Sequence, residues 1–397
     1  MNVVNRPRAT RVDIRGRLNL VAAVLGLAGG LLLARALQLQ IVDAEFYQEQ
    51  GQERFLREVP IPAYRGAVLD RNGEPLAIST PVVSIWAHPK ELLAARERLG
   101  ELAKVLGIGG DALLQKLVER QTKEFTYLKR QLTPEQADEI LALDVPGVYS
   151  QREFRRFYPG GEVLAHVLGF TNVDDHGQEG LELAYDEWLS GKPGRKRIIQ
   201  DRRGQQVETV EEVAAAEPGR DLILSIDRRL QYLAYRELKA SILEHNASSG
   251  SVVVLDVATG EVLAMVNQPS YNPNSRIAVR TSSMRNRAMT DVFEPGSTAK
   301  AFTVAAALEL GKVTPQTILN TYPGTLQVPG KLVTDFRNYG NIDVTHVLTK
   351  SSNVGATLLA QMLPNEHQYD MLHRFGFGQP SGSGFPGESP GYVPDWH

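Results

Sequence analysis

The sequence predicts an α+β multidomain protein tethered by a single N-terminal transmembrane helix. Three observations lead there. An apolar stretch from Leu18 to about Ala34 directly follows five arginines, Arg6, Arg8, Arg11, Arg15 and Arg17. Beyond it lie two regions that each mix helix-spaced and strand-like runs, separated by the linker-like segment Ala214-Ala215-Ala216-Glu217-Pro218-Gly219. The 397 residues, 42% of them apolar, are enough for two or three packed domains. The expected layout is a tail at 1–17, an anchor at 18–42, one module at 43–219 and a second at 220–397.

The anchor is marginal in length, since a spanning helix needs roughly 17 to 25 residues. It extends through Leu37, Leu39, Ile41 and Val42, with Arg35 as its awkward member. Arginines before it and Asp43, Glu45 and Glu49 after it place the N-terminus in the cytoplasm and the bulk of the chain outside. Two other readings stay open. Ala34-Arg35-Ala36 resembles a small-x-small cleavage site, so the stretch also fits a removable signal peptide, and a buried core helix has the same composition. The net charge of −3 gives no electrostatic case for nucleic-acid binding. With no cysteine, a thiol nucleophile, a disulfide framework and a cysteine-ligated metal site are excluded.

Gln38 to Glu58 is polar and helix-prone. Asn72-Gly73, between short apolar runs, predicts a hairpin. Leu92–Leu106, Ala112–Val118 and Pro134–Leu143 carry helical spacing, and Gln200–Glu212 is charged and extended. In the second region, Asp221–Ile226 reads as a strand and Arg228–Leu243 as a helix. Ser251–Asp256 and Glu261–Val266 form a hairpin around Ala258-Thr259-Gly260. His166 reads as a structural histidine rather than a base, because no nucleophile stands near it in sequence. His245, His346, His367, His373 and His397 show no spacing tied to a serine.

Chemistry concentrates at Glu294-Pro295-Gly296-Ser297-Thr298-Ala299-Lys300, which opens an Ala-rich helix. Three residues apart on one helix face, Ser297 and Lys300 suit a nucleophile and its base, if burial or cationic neighbours lower the lysine's pKa. The helix start adds partial positive charge and free N–H groups where an oxyanion could form. The plainer reading is a serine cap before an ordinary helix with a surface lysine. Downstream, Thr349-Lys350-Ser351-Ser352-Asn353 precedes another apolar helix, where Ser351 and Asn353 can aim a hydroxyl and an amide at one cleft. That segment alone also reads as a simple N-cap.

The combination of Ser-x-x-Lys with Ser-x-Asn about fifty residues later resembles the motif pair of penicillin-recognising serine enzymes. Together with the anchor, Arg65-Gly66, Asp70-Arg71-Asn72-Gly73, Arg156–Gly160, His166 with Gly169-Phe170, and Gly180 with Glu182, the chain resembles a class B penicillin-binding protein. Arg285-Asn286-Arg287-Ala288 leading to Phe293 resembles the septal branch of that family. The resemblance implies a non-catalytic pedestal over 43–219 and, from 220, a serine β-lactamase-like transpeptidase domain.

It further implies that Ser297 attacks the penultimate D-alanine carbonyl of a D-Ala-D-Ala stem peptide. Lys300 would act as base, Ser351 would relay a proton to the leaving amine, and Asn353 would orient the substrate amide and Lys300. No metal or organic cofactor is implied, and β-lactams would trap Ser297. Implied partners are division-complex membrane proteins, including a septal glycosyltransferase, at the bacterial inner membrane. The family's third motif, Lys-Thr-Gly or Lys-Ser-Gly, does not occur before His397. The expectation is therefore a transpeptidase domain cut partway, lacking the strand with the second oxyanion donor and weakly active or inactive as it stands. A β-lactamase and a non-catalytic division scaffold are the rival readings.

Overall fold

The computed structural model describes residues 14–39, 56–200, 206–275 and 280–395. Arg6, Arg8 and Arg11 of the expected tail, Ile41, Val42, Asp43, Glu45 and Glu49 after the anchor, and His397 lie outside these residues. An α-helix runs from Ile14 to Leu37, and its segment Leu18–Leu37 is long and apolar enough to cross a membrane. None of that segment is buried, which rules out the core-helix reading.

The chain divides into two compact units, each drawn from separate stretches. One comprises Met1–Ala63, Val83–Arg152 and Lys192–Glu217, and the other Tyr64–Val82, Glu153–Gly191 and Pro218–His397.

In the first unit, strands Leu56–Ile61, Gly194–Gln200 and Gln206–Ala214 form an antiparallel sheet, with Val59 opposite Lys196. Leu56 to Glu58, the end of the stretch whose composition predicts helix, is strand instead. Cross-strand pairing overrides local propensity there, with Glu58 facing Arg197 at 3.2 Å and Arg195 at 3.7 Å. Of the expected extended stretch 200–212, Gln200 and the residues from Gln206 onward are strand, and 201–205 lie outside the described residues.

The same unit holds helices Pro89–Ala94, Leu99–Leu106, Gly110–Glu119 and Pro134–Leu141, packed with the strand pair Val83–Ala87 and Thr126–Leu132. Apolar residues three and four apart put Leu99, Leu102, Ala103 and Leu106 on one buried face, and Leu113 with Leu117 on another. A capping box between Thr133 and Gln136 starts the last helix. The single helix expected over 92–106 is instead interrupted by a 3-10 turn at Arg96–Arg98, where Arg98 Nη2 reaches the carbonyl of Leu143 at 2.6 Å.

In the second unit the Asn72-Gly73 hairpin forms as predicted, with Val68 opposite Ala77. Asp70 Oδ1 accepts from the N–H groups of Asn72 (2.7 Å) and Glu74 (2.9 Å) and so closes the turn. The strand expected at 221–226 is only Leu222–Ile223, parallel to Val68–Leu69. It ends early because Asp227 caps the helix Arg228–Glu244, accepting from Arg229 N at 2.9 Å. That helix packs on the hairpin Gly250–Leu255/Val262–Gln268. Buried Gln231 fastens it, donating to the carbonyls of Val163 and Met265 and accepting from Met265 N.

Beneath lies a buried charge cluster. Glu182 accepts from Arg65 Nε and Arg156 Nε at 2.6 Å each, and Asp186 accepts from Arg65 Nη1 at 2.6 Å. All three central side chains are at most 1% exposed, so each charge depends on its partners. Gly169 closes over this region with φ +75, and a Cβ there would sit 1.8 Å from Glu179 O. His166 is buried, its Nε2 bonded to Ser283 O at 2.8 Å and its ring edge-on to Tyr271. Burial holds its pKa below the ordinary range, consistent with a structural histidine.

A third core joins Val304, Ala306 and Ala307 to Val347, Leu359 and Met371. It binds together the helices Lys300–Glu309, Val344–Thr349, Asn353–Gln361 and Asn365–Arg374, and it carries the site.

Candidate active site

Ser297 sits in a 3-10 turn, Gly296–Ala299, that runs directly into the helix Lys300–Glu309. Gly296 supplies the φ of +60 that lets the chain turn into it, a conformation cheap only for glycine. Ser297 is exposed and Lys300 partly buried, while Val304, Ala306 and Ala307 on the far face fix the helix to the core. Both side chains therefore project from a rigid element.

The second segment folds over the first. Ser351 adopts φ +51, in the left-handed region that non-glycine residues enter at a cost of about 1–3 kcal/mol. This twist turns Ser351 toward Lys300 while the next residue, Ser352, caps the helix Asn353–Gln361 by accepting from Gly355 N at 2.8 Å. Lys300 Nζ donates to Ser351 O (2.7 Å), Ser351 Oγ (3.0 Å) and Asn353 Oδ1 (2.6 Å). Ser351 Oγ in turn donates to Ser297 Oγ at 3.1 Å. All four residues singled out in the sequence thus meet in one hydrogen-bonded chain. Lys300 does not bond Ser297 directly; the link passes through Ser351.

A fifth residue holds the arrangement and was not picked out from the sequence. Asp335 follows the hairpin Thr325–Val328/Lys331–Thr334 and accepts from Ser352 Oγ at 2.7 Å, from Val354 N at 3.0 Å and from Asn353 N. Thr334 O takes Asn353 Nδ2 at 2.8 Å, which leaves Asn353 Oδ1 for Lys300. A lone aspartate sixteen residues before a serine carries no periodic signature, so only its place after the Pro329-Gly330 turn could have hinted at it.

Burial lowers the Lys300 pKa from its ordinary value, and the Asp335 carboxylate partly opposes this by favouring the ammonium. A lysine held below its usual range can exist as the free amine that deprotonates a hydroxyl. Reversing the two hydroxyl bonds would then carry the Ser297 proton through Ser351 to Lys300. None of the described histidines bonds Ser297. Among the described residues no group of carboxylate and histidine side chains could hold a metal ion.

An exposed serine at a helix start, wired to a partly buried lysine through a second serine, is the arrangement expected of a penicillin-recognising serine enzyme. The comparisons narrow it. Residues 60–224 match the penicillin-binding protein dimerisation domain and residues 250–396 the penicillin binding protein transpeptidase domain. The chain is 41% identical over 378 residues to a probable peptidoglycan D,D-transpeptidase, PbpC, of Pseudomonas aeruginosa, covering 95% of this chain and 67% of that protein. It is 42% identical over 386 residues to the peptidoglycan D,D-transpeptidase FtsI of Escherichia coli, covering 96% and 65%. The chain belongs to the class B penicillin-binding proteins. Among solved structures, a peptidoglycan synthetase from Bifidobacterium adolescentis superposes with a TM-score of 0.63 at 27% identity, over 86% of this chain and 67% of that one. A chain of a peptidoglycan synthase complex does so at 0.65 and 28% identity, over 96% and 70%. The chain spans about two thirds of the length of the curated relatives it matches.

Proposed function

We propose that the complete protein is a peptidoglycan D,D-transpeptidase of the division septum. It cross-links stem peptides through an acyl-serine intermediate and is a target of β-lactams. The observation that carries this reading is the hydrogen-bonded chain from Lys300 through Ser351 to Ser297. Ser297 Oγ attacks the carbonyl of the penultimate D-alanine as its proton passes toward Lys300. The N–H of Ser297, at the helix start, faces the developing oxyanion. Ser351 returns a proton to the departing D-alanine amine, and Asn353, fixed by Thr334 and Asp335, orients Lys300 and the substrate amide. The amine of a neighbouring stem peptide then attacks the ester, forming the cross-link and freeing Ser297. Every group in this sequence belongs to the chain or its substrate.

The helix Leu18–Leu37 supports a single-pass anchor, within the expected 18–42, in the bacterial inner membrane. In this reading the N-terminus is cytoplasmic, 43–219 is a periplasmic pedestal, and the catalytic region starts at 220. Likeness to a chain of a peptidoglycan synthase complex supports partnership with membrane proteins of the division machinery, a septal glycosyltransferase among them. The test is a fluorescent penicillin applied to the wild-type protein and to Ser297→Ala, with both variants also asked to restore division in depleted cells. The reading expects labelling and rescue by wild type alone. Rescue by Ser297→Ala would favour a non-catalytic scaffold instead.

A further inference from the structure

Two exposed cations, Arg337 and Lys350, flank the loop that brings Ser351 to Ser297, and the acyl-transfer steps give them no task. The segment from Thr334 to Tyr339 wraps the loop Lys350-Ser351-Ser352-Asn353 at three points. Thr334 O and the Asp335 carboxylate hold Asn353 and its neighbours, and Tyr339 Oη donates to Lys350 O at 3.3 Å. Between these points stands Arg337, exposed, with its guanidinium carbon 5.4 Å from the centroid of the Tyr339 ring. Lys350 directly precedes Ser351 and is also exposed.

Neither cation has a carboxylate partner among the described residues. Asp335, two residues before Arg337, is occupied by Ser352, Asn353 and Val354, and Asp343, between the two cations in sequence, by His346. Next to Arg337, Phe336 is 97% exposed and so offers bare apolar surface on the same segment. A guanidinium presents a planar donor fork that matches a carboxylate in two parallel bonds. The Tyr339 ring, 5.4 Å from the guanidinium carbon, restrains the side chain before any ligand arrives, which limits the ordering cost of binding. Lys350 adds a second, point-like positive charge on the residue that precedes Ser351.

We propose that Arg337, assisted by Lys350, is a carboxylate-binding site that selects an anionic peptide for reaction at Ser297. The carboxylate it takes lies away from the carbonyl that is attacked, and Phe336 covers apolar side chains beside it. The inference rests on the reading of Ser297 as the acyl acceptor.

The test uses the full-length protein in detergent and two penicillins that differ only in a carboxylate on the side chain. Their ring carboxylate is common to both and cancels in the comparison. The second-order rate of Ser297 acylation is measured for each, in wild type, Arg337→Ala and Arg337→Lys. The ratio of the two rates, anionic over neutral, should fall about tenfold in Arg337→Ala, the size of one lost charge-assisted hydrogen bond. Arg337→Lys keeps the charge but loses the fork, and should fall between. The wild-type ratio should also shrink as salt is raised. An Arg337→Ala ratio equal to that of wild type, with labelling intact, overturns the site while leaving the acyl-serine reading standing. Absence of acylation by either penicillin in wild type overturns both.

Discussion

Replacing Asp335 with alanine removes the acceptor for Ser352 Oγ and for two N–H groups at the start of the helix Asn353–Gln361. Loss of a capping acceptor costs about 0.5–2 kcal/mol, and an unpaired buried hydroxyl about 1–3 kcal/mol. Removal of the negative charge from a helix N-terminus adds about 0.3–1 kcal/mol. Because these share partners they do not simply add, and a total of about 2–4 kcal/mol is expected. In a domain of this size that is a fall in melting temperature of about 5–15 °C. Asp335→Asn keeps the shape and most of the acceptors, so it should melt much closer to wild type. It nevertheless removes the charge that favours the Lys300 ammonium. The Lys300 pKa, already lowered by burial, should drop further, and the pH at which penicillin acylation reaches half its maximum should move down. Thermal unfolding and acylation rates across pH read the two effects separately. An Asp335→Ala protein that melts like wild type, or an Asp335→Asn profile that moves to higher pH, would refute the assigned role.

Other outcomes follow from the same contacts. Ser351→Ala cuts the hydrogen-bonded route from Lys300 to Ser297, so acylation should slow by about 10²–10⁴, with little change in melting temperature. Glu182→Gln leaves Arg65 and Arg156 short of their shared countercharge in a buried site, and should cost about 3–5 kcal/mol by chemical denaturation. Burial beside that cluster pushes the Asp175 carboxyl up to about 6, against the pull of Arg156 and Arg65. A carboxyl raised in the folded state binds its proton more tightly there than in the unfolded chain. Its stabilising contribution is therefore complete below about pH 4 and lost as pH rises through about 6, by at most about 3 kcal/mol. Asp175→Asn should flatten that part of the stability profile and raise the melting temperature at pH 7.5, and a profile as steep as wild type would count against the assignment.

Much of this was legible because it is local. Asn72-Gly73 forces a tight turn whatever surrounds it, the apolar spacing of 228–243 and 99–106 makes helices, and Ser-x-x-Lys places two side chains on one face by helical geometry alone. The meeting of Ser297 with Ser351 was reachable only through a pairing of two motifs, since nothing in either segment points to the other. What stayed hidden is what depends on long-range partners. Glu58 lies in a helix-prone run but becomes strand because Arg195 and Arg197 arrive from far along the chain. Arg65, Arg156 and Glu182 drew notice as motif residues, yet their mutual neutralisation needs segments 26 and 117 residues apart to fold together. Asp335 lacked even a motif. The left-handed turn at Ser351, which aims its hydroxyl at Lys300, is a strain no propensity scale would place on a serine.

Ser297 is the residue on which the acyl group is expected. Trypsin releases it within the peptide Ala288–Lys300, bounded by Arg287 and Lys300. After reaction with penicillin, fragmentation of that peptide by mass spectrometry should place the added mass on Ser297 and not on the adjacent Thr298. An adduct on another peptide, or one that persists in Ser297→Ala, would contradict it.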